Sequence, residues 1–145
     1  MTVLYVEDSD AFAYLLESAR KECGLPTKAY RVPDGEQAML FLRREAPFEG
    51  APRPDIIFLD INLPKKNGFE LLAEIRSDER FRSLPVLVLS AALDAQVRDR
   101  ALELGATEYI AKPFDFGALS RTVSGAFARY TRRQGGQLSQ AASAE

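Results

Sequence analysis

The chain predicts an α/β fold: one parallel sheet of five strands with helices on both faces. Three observations carry this. Short apolar runs, Val3–Val6, Ile56–Leu59 and Val86–Leu89, are continuous rather than alternating, as in strands buried on both faces. Segments with apolar residues at helical spacing separate them. Strand and helix alternate throughout, which implies right-handed crossovers and parallel neighbours.

Taken in order, Val3-Leu4-Tyr5-Val6 is the first strand, stopped by Glu7-Asp8-Ser9-Asp10. Phe12, Leu15, Leu16, Ala19 and Cys23 then recur on one helical stripe, which Gly24 and Pro26 end. Cys23 on that stripe reads as a core residue. Thr27 to Val32 is a partly polar strand, placed at or near an edge. Asp34-Gly35-Glu36-Gln37 has the pattern of a capping box and opens a helix running through Leu42. Residues 45–54 hold Pro47, Gly50, Pro52 and Pro54 and read as a long loop.

The central strand follows and ends on Asp60, behind which Pro64, Asn67 and Gly68 force a turn. Phe69, Leu72, Ile75 and Arg76 mark the third helix, which stops before Ser77-Asp78-Glu79. After Pro85, Val86–Leu89 ends at Ser90; Val97, Ala101 and Leu104 form a fourth helix with Gly105 as its left-handed stop. Glu108–Ala111 is the last strand, ending at Lys112-Pro113, and Leu119, Val123, Phe127 and Tyr130 line one side of a final helix. The expected organisation is one domain over 1–130 and a small, polar tail over 131–145 that finishes the last helix and then becomes disordered. That tail is too short for a separate output module.

Composition removes whole classes of function. With 145 residues, 46% hydrophobic and 28% charged, the chain suits one soluble core. A net charge of -2 gives no general attraction to nucleic acid or anionic membrane. No apolar run is long enough to span a bilayer, and no signal-like start is present, so a cytoplasmic location is expected. One cysteine excludes an internal disulfide or a multi-cysteine zinc site, and the absence of histidine removes imidazole ligands and Ser-His or Cys-His nucleophile pairs. The available chemistry belongs to carboxylates, hydroxyls and lysines.

In a parallel sheet the carboxyl ends of the strands point one way. The first ends at Glu7-Asp8, the third at Asp60, the fourth at Ser90 and the fifth at Lys112, whereas the second, Val32-Pro33-Asp34, contributes nothing obvious. Each residue alone has an ordinary reading as a cap or a surface charge; their joint placement does not. Clustered carboxylates repel one another unless a cation sits among them, and Mg²⁺ takes oxygen ligands of this kind. With Lys112 and Ser90 as donors, the set outlines a cage for a phosphoryl group and makes Asp60 its nucleophile.

Glu7-Asp8 after the first strand, Asp60 followed by Leu63-Pro64 and Gly68, Ser90-Ala91 and Lys112-Pro113 closely resemble the response-regulator receiver domains of two-component signalling, over roughly residues 2–130. The resemblance implies a flavodoxin-like doubly wound sheet, strand order 2-1-3-4-5, with five helices. It implies that Asp60 accepts a phosphoryl group from the phosphohistidine of a sensor histidine kinase. Glu7, Asp8, Asp60 and the backbone carbonyl of Asn62 would hold Mg²⁺; Ser90 and Lys112 would contact the phosphoryl oxygens; Tyr109 would be the switch aromatic. The Lys112–Pro113 bond would be cis. Such a domain catalyses only its own phosphorylation and dephosphorylation.

Glu7 stands where Asp is more frequent in that family, and Ser90 where Thr is also common. The loop from Leu63 to Gly68 and the Pro-rich connection are similar to the stand-alone regulators paired with phytochrome photoreceptor kinases. With no output module, the readout would be protein binding, and Phe114 and Phe116 point to a homodimer through the fourth helix, fifth strand and fifth helix. Two other classes fit less well. A haloacid-dehalogenase-type phosphatase needs a second Asp two residues after the nucleophile, where this chain has Asn62. A flavodoxin-type carrier needs a donor-rich loop where this chain has Glu7-Asp8-Ser9-Asp10.

Overall fold

A computed structural model describes residues 1–91 and 94–144, with side chains as far as Thr131. The elements are β1 (Thr2–Val6), α1 (Asp10–Glu22), β2 (Lys28–Val32), α2 (Gly35–Arg43), β3 (Ile56–Asp60), α3 (Gly68–Ser77), a 3₁₀ turn (Glu79–Phe81), β4 (Val86–Ser90), α4 (Ala95–Glu103), β5 (Glu108–Ala111) and α5 (Phe116–Ala144). The sheet is parallel throughout, in the order β2-β1-β3-β4-β5. The chain moves one way from β1 to β2 and the other way from β1 to β3. A crevice therefore opens above the carboxyl ends of β1 and β3.

Burial follows strand position. Every residue of β3 and β4 is buried, whereas β2, at the edge, exposes three of its five. One face packs Val3, Tyr5, Ile56, Phe58, Leu87 and Leu89 against α1 and α5; the other packs Leu4, Val6, Ile57, Leu59, Val86 and Val88 against α2, α3 and α4. On α5, the predicted residues Leu119, Val123, Phe127 and Tyr130 are buried, and Tyr130 Oη donates to Glu108 Oε2 at 2.6 Å. On α1 the buried residues are Ala13, Leu16 and Ala19, while Leu15, at the margin of the stripe, is 38% exposed. Gly105 takes φ +106° just after α4, the left-handed stop that its sequence position predicts. The Pro-rich loop packs too, with Phe48 5.5 Å from Phe41 ring to ring.

Three local expectations are corrected. Asp34 caps α2 by accepting from Gln37 N at 2.8 Å, but the Gln37 amide donates to Asp34 Oδ2 at 3.5 Å, so no reciprocal box forms there. An ionised carboxylate draws the side-chain donor toward itself. The complete box stands on α3, between Asn67 and Glu70, where the sequence suggested only a turn. The Lys112–Pro113 bond is not cis; among the described residues the cis peptide is Ala46–Pro47. Trans is the lower-energy isomer even before proline. The tail expected over 131–145 lies, beyond Thr131, outside the residues whose side chains are described. Among the described residues no helix is long and apolar enough to cross a membrane.

Asp78 shows how the α3–β4 connection is held. Its carboxylate accepts from Arg80 N and Nε, both at 3.0 Å, and from Arg80 Nη2 at 2.7 Å. The Arg80 side chain first, with the Arg80 backbone N–H behind it, outweighs the upward push of desolvation and holds its pKa at about 2 against an ordinary 3.8. A depressed carboxylate stabilises the fold above its unfolded pKa and loses that contribution as pH falls through the folded value. Asp78→Asn is therefore expected to flatten the acid limb of the stability curve between about pH 4 and pH 2 while changing little of its shape above pH 5. Urea midpoints across this range check it.

Candidate functional site

The strand ends that carry polar residues do converge. Glu7 follows β1 and is held on three sides: its N–H donates to Val32 O at 3.1 Å, its carbonyl accepts from Arg31 Nε at 3.0 Å, and Oε2 accepts from Ser9 N at 3.1 Å. Its side chain is buried, 2% exposed, while Asp8 beside it is open to solvent. Asp60 is the last residue of β3, 7% exposed, and its Oδ1 accepts from Asn62 N at 3.0 Å. Ser90, last in β4, is fully buried.

Lys112 joins these ends. Its N–H donates to Ser90 O at 2.8 Å, which fixes its backbone just past β5. Its Nζ lies 2.9 Å from Glu7 Oε1 and 3.3 Å from Asp60 Oδ2, and 4.4 Å from the centre of the Phe12 ring. Burial alone would push the Lys112 ammonium toward deprotonation; the Glu7 bond and the charges of Asp60 and Glu7 outweigh it and hold the pKa above its ordinary value. Burial raises the pKa of Glu7, and the charge of Asp60 adds to this, although Lys112 and the Ser9 amide act the other way.

One carboxylate oxygen from each of Glu7, Asp8 and Asp60 lies within 4.8 Å of the others. Three carboxylates facing one ammonium leave a local surplus of negative charge that a divalent cation would balance. An all-oxygen donor set fits Mg²⁺ or a similar hard ion.

Tyr109 lies on β5, opposite Val88 of β4, partly buried against the core on the α4 side. It borders a surface cleft of about 370 Å³ with Asp94, Ala95, Arg98 and Ala111. Phe114 is 93% exposed and Phe116 38% exposed, at the start of α5. Sequence reasoning missed two contributors. Phe12 packs against the core as its place on the stripe predicts, and its ring also lies beneath the Lys112 ammonium. Asp34 seemed to bring nothing from β2; it is 4% exposed and lies 3.7 Å from Lys65 Nζ, on the loop after Asp60. A capping Asp reads as local from sequence, so its long-range partner has no signature.

Comparison with known proteins agrees with this geometry. The response regulator receiver domain family matches residues 3–124. The response regulator Rcp1 of Synechocystis sp. is 35% identical over 123 residues, covering 85% of this chain and 84% of that protein. The crystal structure of the phosphorylated cyanobacterial phytochrome response regulator RcpA superposes with a TM-score of 0.84 at 36% identity, covering 90% of this chain and 93% of that one. The Mn²⁺-bound form of Rcp1 gives 0.80 at 34% identity, covering 88% and 91%. A five-stranded 2-1-3-4-5 sheet, an acidic cluster at its switch point and this match over most of its length make the chain a member of the response regulator receiver domain family, similar to stand-alone phytochrome response regulators.

Proposed function

We propose that this chain is a single-domain response regulator whose Asp60 accepts a phosphoryl group from a sensor histidine kinase. The observation that carries the reading is the Lys112 ammonium lying between the buried carboxylates Glu7 and Asp60. In the step itself an Asp60 carboxylate oxygen bonds to phosphorus, the P–N bond of the donor phosphohistidine breaks, and the imidazole leaves with a proton in place of the phosphoryl group. Asp60 becomes an acyl phosphate. Mg²⁺, held by Glu7, Asp8, Asp60 and the Asn62 carbonyl, would neutralise charge on the transferring group. Lys112 and the Ser90 hydroxyl donate to its other oxygens.

Phosphorylation adds about 1.5 to 2 negative charges at a buried strand end. The Ser90 hydroxyl is drawn toward them, and Tyr109 turns into the space so freed, repacking the surface of α4, β5 and α5. The only reactions catalysed are the protein's own phosphorylation and dephosphorylation, in the cytoplasm. RcpA is described as a phytochrome response regulator, and its similarity supports a phytochrome-class kinase as donor. Exposed Phe114 and Phe116 support a homodimer through the α4–β5–α5 face as the readout.

Phosphoramidate, which carries the same P–N bond, tests the reading without a kinase. With Mg²⁺ the wild-type chain should gain the mass of one phosphoryl group and sediment as a dimer. Chelation of Mg²⁺ should prevent both changes. Asp60→Asn should fold normally yet gain nothing and stay monomeric. Labelling that persisted in that variant would move the acceptor elsewhere.

A further inference from the structure

The loop from Ile61 to Asn67 carries Asn62 and begins one residue after the acceptor, so whatever fixes it also fixes the floor of the site. Its inner limb is anchored by the core: Ile61 is 3% exposed and Leu63 8% exposed. The Gly68 N–H donates to Ile61 O at 3.0 Å and closes the base. Its outer limb is tied to α3 through the Lys66–Glu74 ion pair, one residue past Lys65. Lys65 sits at φ +60°, a left-handed conformation that a lysine does not favour. Something must hold it there.

The first turn of α2 does so by direct contact. A Cβ on Gly35 would stand 2.4 Å from the Lys66 carbonyl oxygen and 2.9 Å from Lys66 Cβ, so only glycine admits the loop backbone at that distance. Asp34 spends one oxygen on its cap, Oδ1 accepting from Gln37 N; its other oxygen, Oδ2, is 3.7 Å from Lys65 Nζ. Lys66 pairs with Glu74, which also meets Arg43 of α2 at 3.1 Å. Contact, buried carboxylate and ion-pair relay all join the same two segments.

We propose that Gly35 and the Asp34–Lys65 pair are positioning residues. By pressing the loop onto α2 they set Asn62 and Asp60 at the separation that a divalent cation and a phosphoryl group require. This rests on the functional reading of Asp60 given above. It gives β2, the strand whose end the sequence reading left without a site residue, a part in the site.

Direct Mn²⁺ titration followed by electron paramagnetic resonance tests this apart from phosphorylation, on variants shown to be fully folded by circular dichroism and urea titration. Gly35→Ala should raise the Mn²⁺ Kd about tenfold or more, the loss expected of a displaced ligand support. Lys65→Gln should raise it about threefold, because Lys65 is more than half exposed and the pair is long, and Lys65→Arg should match wild type. A purely structural role predicts lower urea midpoints with the Mn²⁺ Kd unmoved, and that result overturns the proposal. If Gly35→Ala does not fold, Lys65→Gln against Lys65→Arg decides alone: a threefold gap sustains the clamp, and equal affinities overturn it. Wild-type protein that binds Mn²⁺ but takes no phosphoryl group sinks the functional reading while leaving the clamp to be judged by its own titration.

Discussion

Arg76→Ala is expected to cost the fold at least about 3 kcal/mol, the largest loss of stability from any single exposed or half-buried side chain here. The guanidinium of Arg76 leaves α3 and ends among backbone carbonyls. Nε donates to Gly105 O at 2.8 Å, Nη1 to Phe81 O at 2.9 Å, Leu84 O at 2.8 Å and Arg82 O at 3.1 Å, and Nη2 to Thr107 Oγ1 at 3.3 Å. These oxygens belong to the connection before β4 and the turn before β5. One side chain therefore gathers three segments at the amino ends of two strands. Truncation takes this donor from the part-buried carbonyls of Gly105 and Leu84, whereas Phe81 O keeps Leu84 N at 3.2 Å, and each buried group left unpaired costs about 1–3 kcal/mol.

Burial lowers the pKa of Arg76, yet a guanidinium titrates so far above neutrality that the group stays charged at any working pH. The comparison with lysine separates charge from geometry. An ammonium is a point donor and cannot reach carbonyls that a planar fork spans, so Arg76→Lys should recover less than half of the loss. Urea unfolding at pH 7 measures both. An alanine variant within 1 kcal/mol of wild type would show that water replaces the guanidinium without penalty.

How much of this was legible in the sequence depends on whether the cause is local. Continuous apolar runs and Gly105 gave strand, helix and stop because their physics is contained within a few residues. Glu7, Asp60, Ser90 and Lys112 were readable as a site because parallel topology carries strand ends to one rim whatever the loops do. Arg76 was legible as a residue of the third helix but not as a hub: on α3 it looks like an ordinary basic residue in a last turn, and its partners lie up to 31 positions away. The Asp34–Lys65 pair was hidden for the same reason, behind a capping role that the sequence explained well enough. The Asn67 box was missed differently, since Pro64, Asn67 and Gly68 advertise a turn and a turn is where helices begin.

Lys112→Met should separate metal binding from phosphoryl chemistry, with opposite signs for the two. In the metal-free protein the ammonium is the one cation within 3.3 Å of both Glu7 and Asp60 among the described residues. Removing it leaves buried carboxylates facing each other, and breaking such a pair costs about 3 kcal/mol. The pH dependence follows in sign. The folded pKa of Glu7 is already raised above 4.5, so its protonated form favours the fold, and stability is lost as pH rises through the folded value. Without Lys112 that loss should be steeper, because the ammonium no longer offsets the charge of Asp60.

On the proposed reading a divalent cation would share Glu7 and Asp60 with the ammonium, so the variant should bind Mg²⁺ more tightly and recover more stability from it than wild type does. Labelling by phosphoramidate should nevertheless slow about 10²-fold, since a donor to the transferring group is gone and a cation elsewhere in the site does not replace it. Urea midpoints with and without Mg²⁺, set beside labelling rates at saturating Mg²⁺, read both effects on one preparation. A variant that labels at the wild-type rate would reduce Lys112 to a counter-ion. One whose metal-free stability matched wild type would show instead that Glu7 and Asp60 tolerate each other, and the argument that a cation is needed between them would fall.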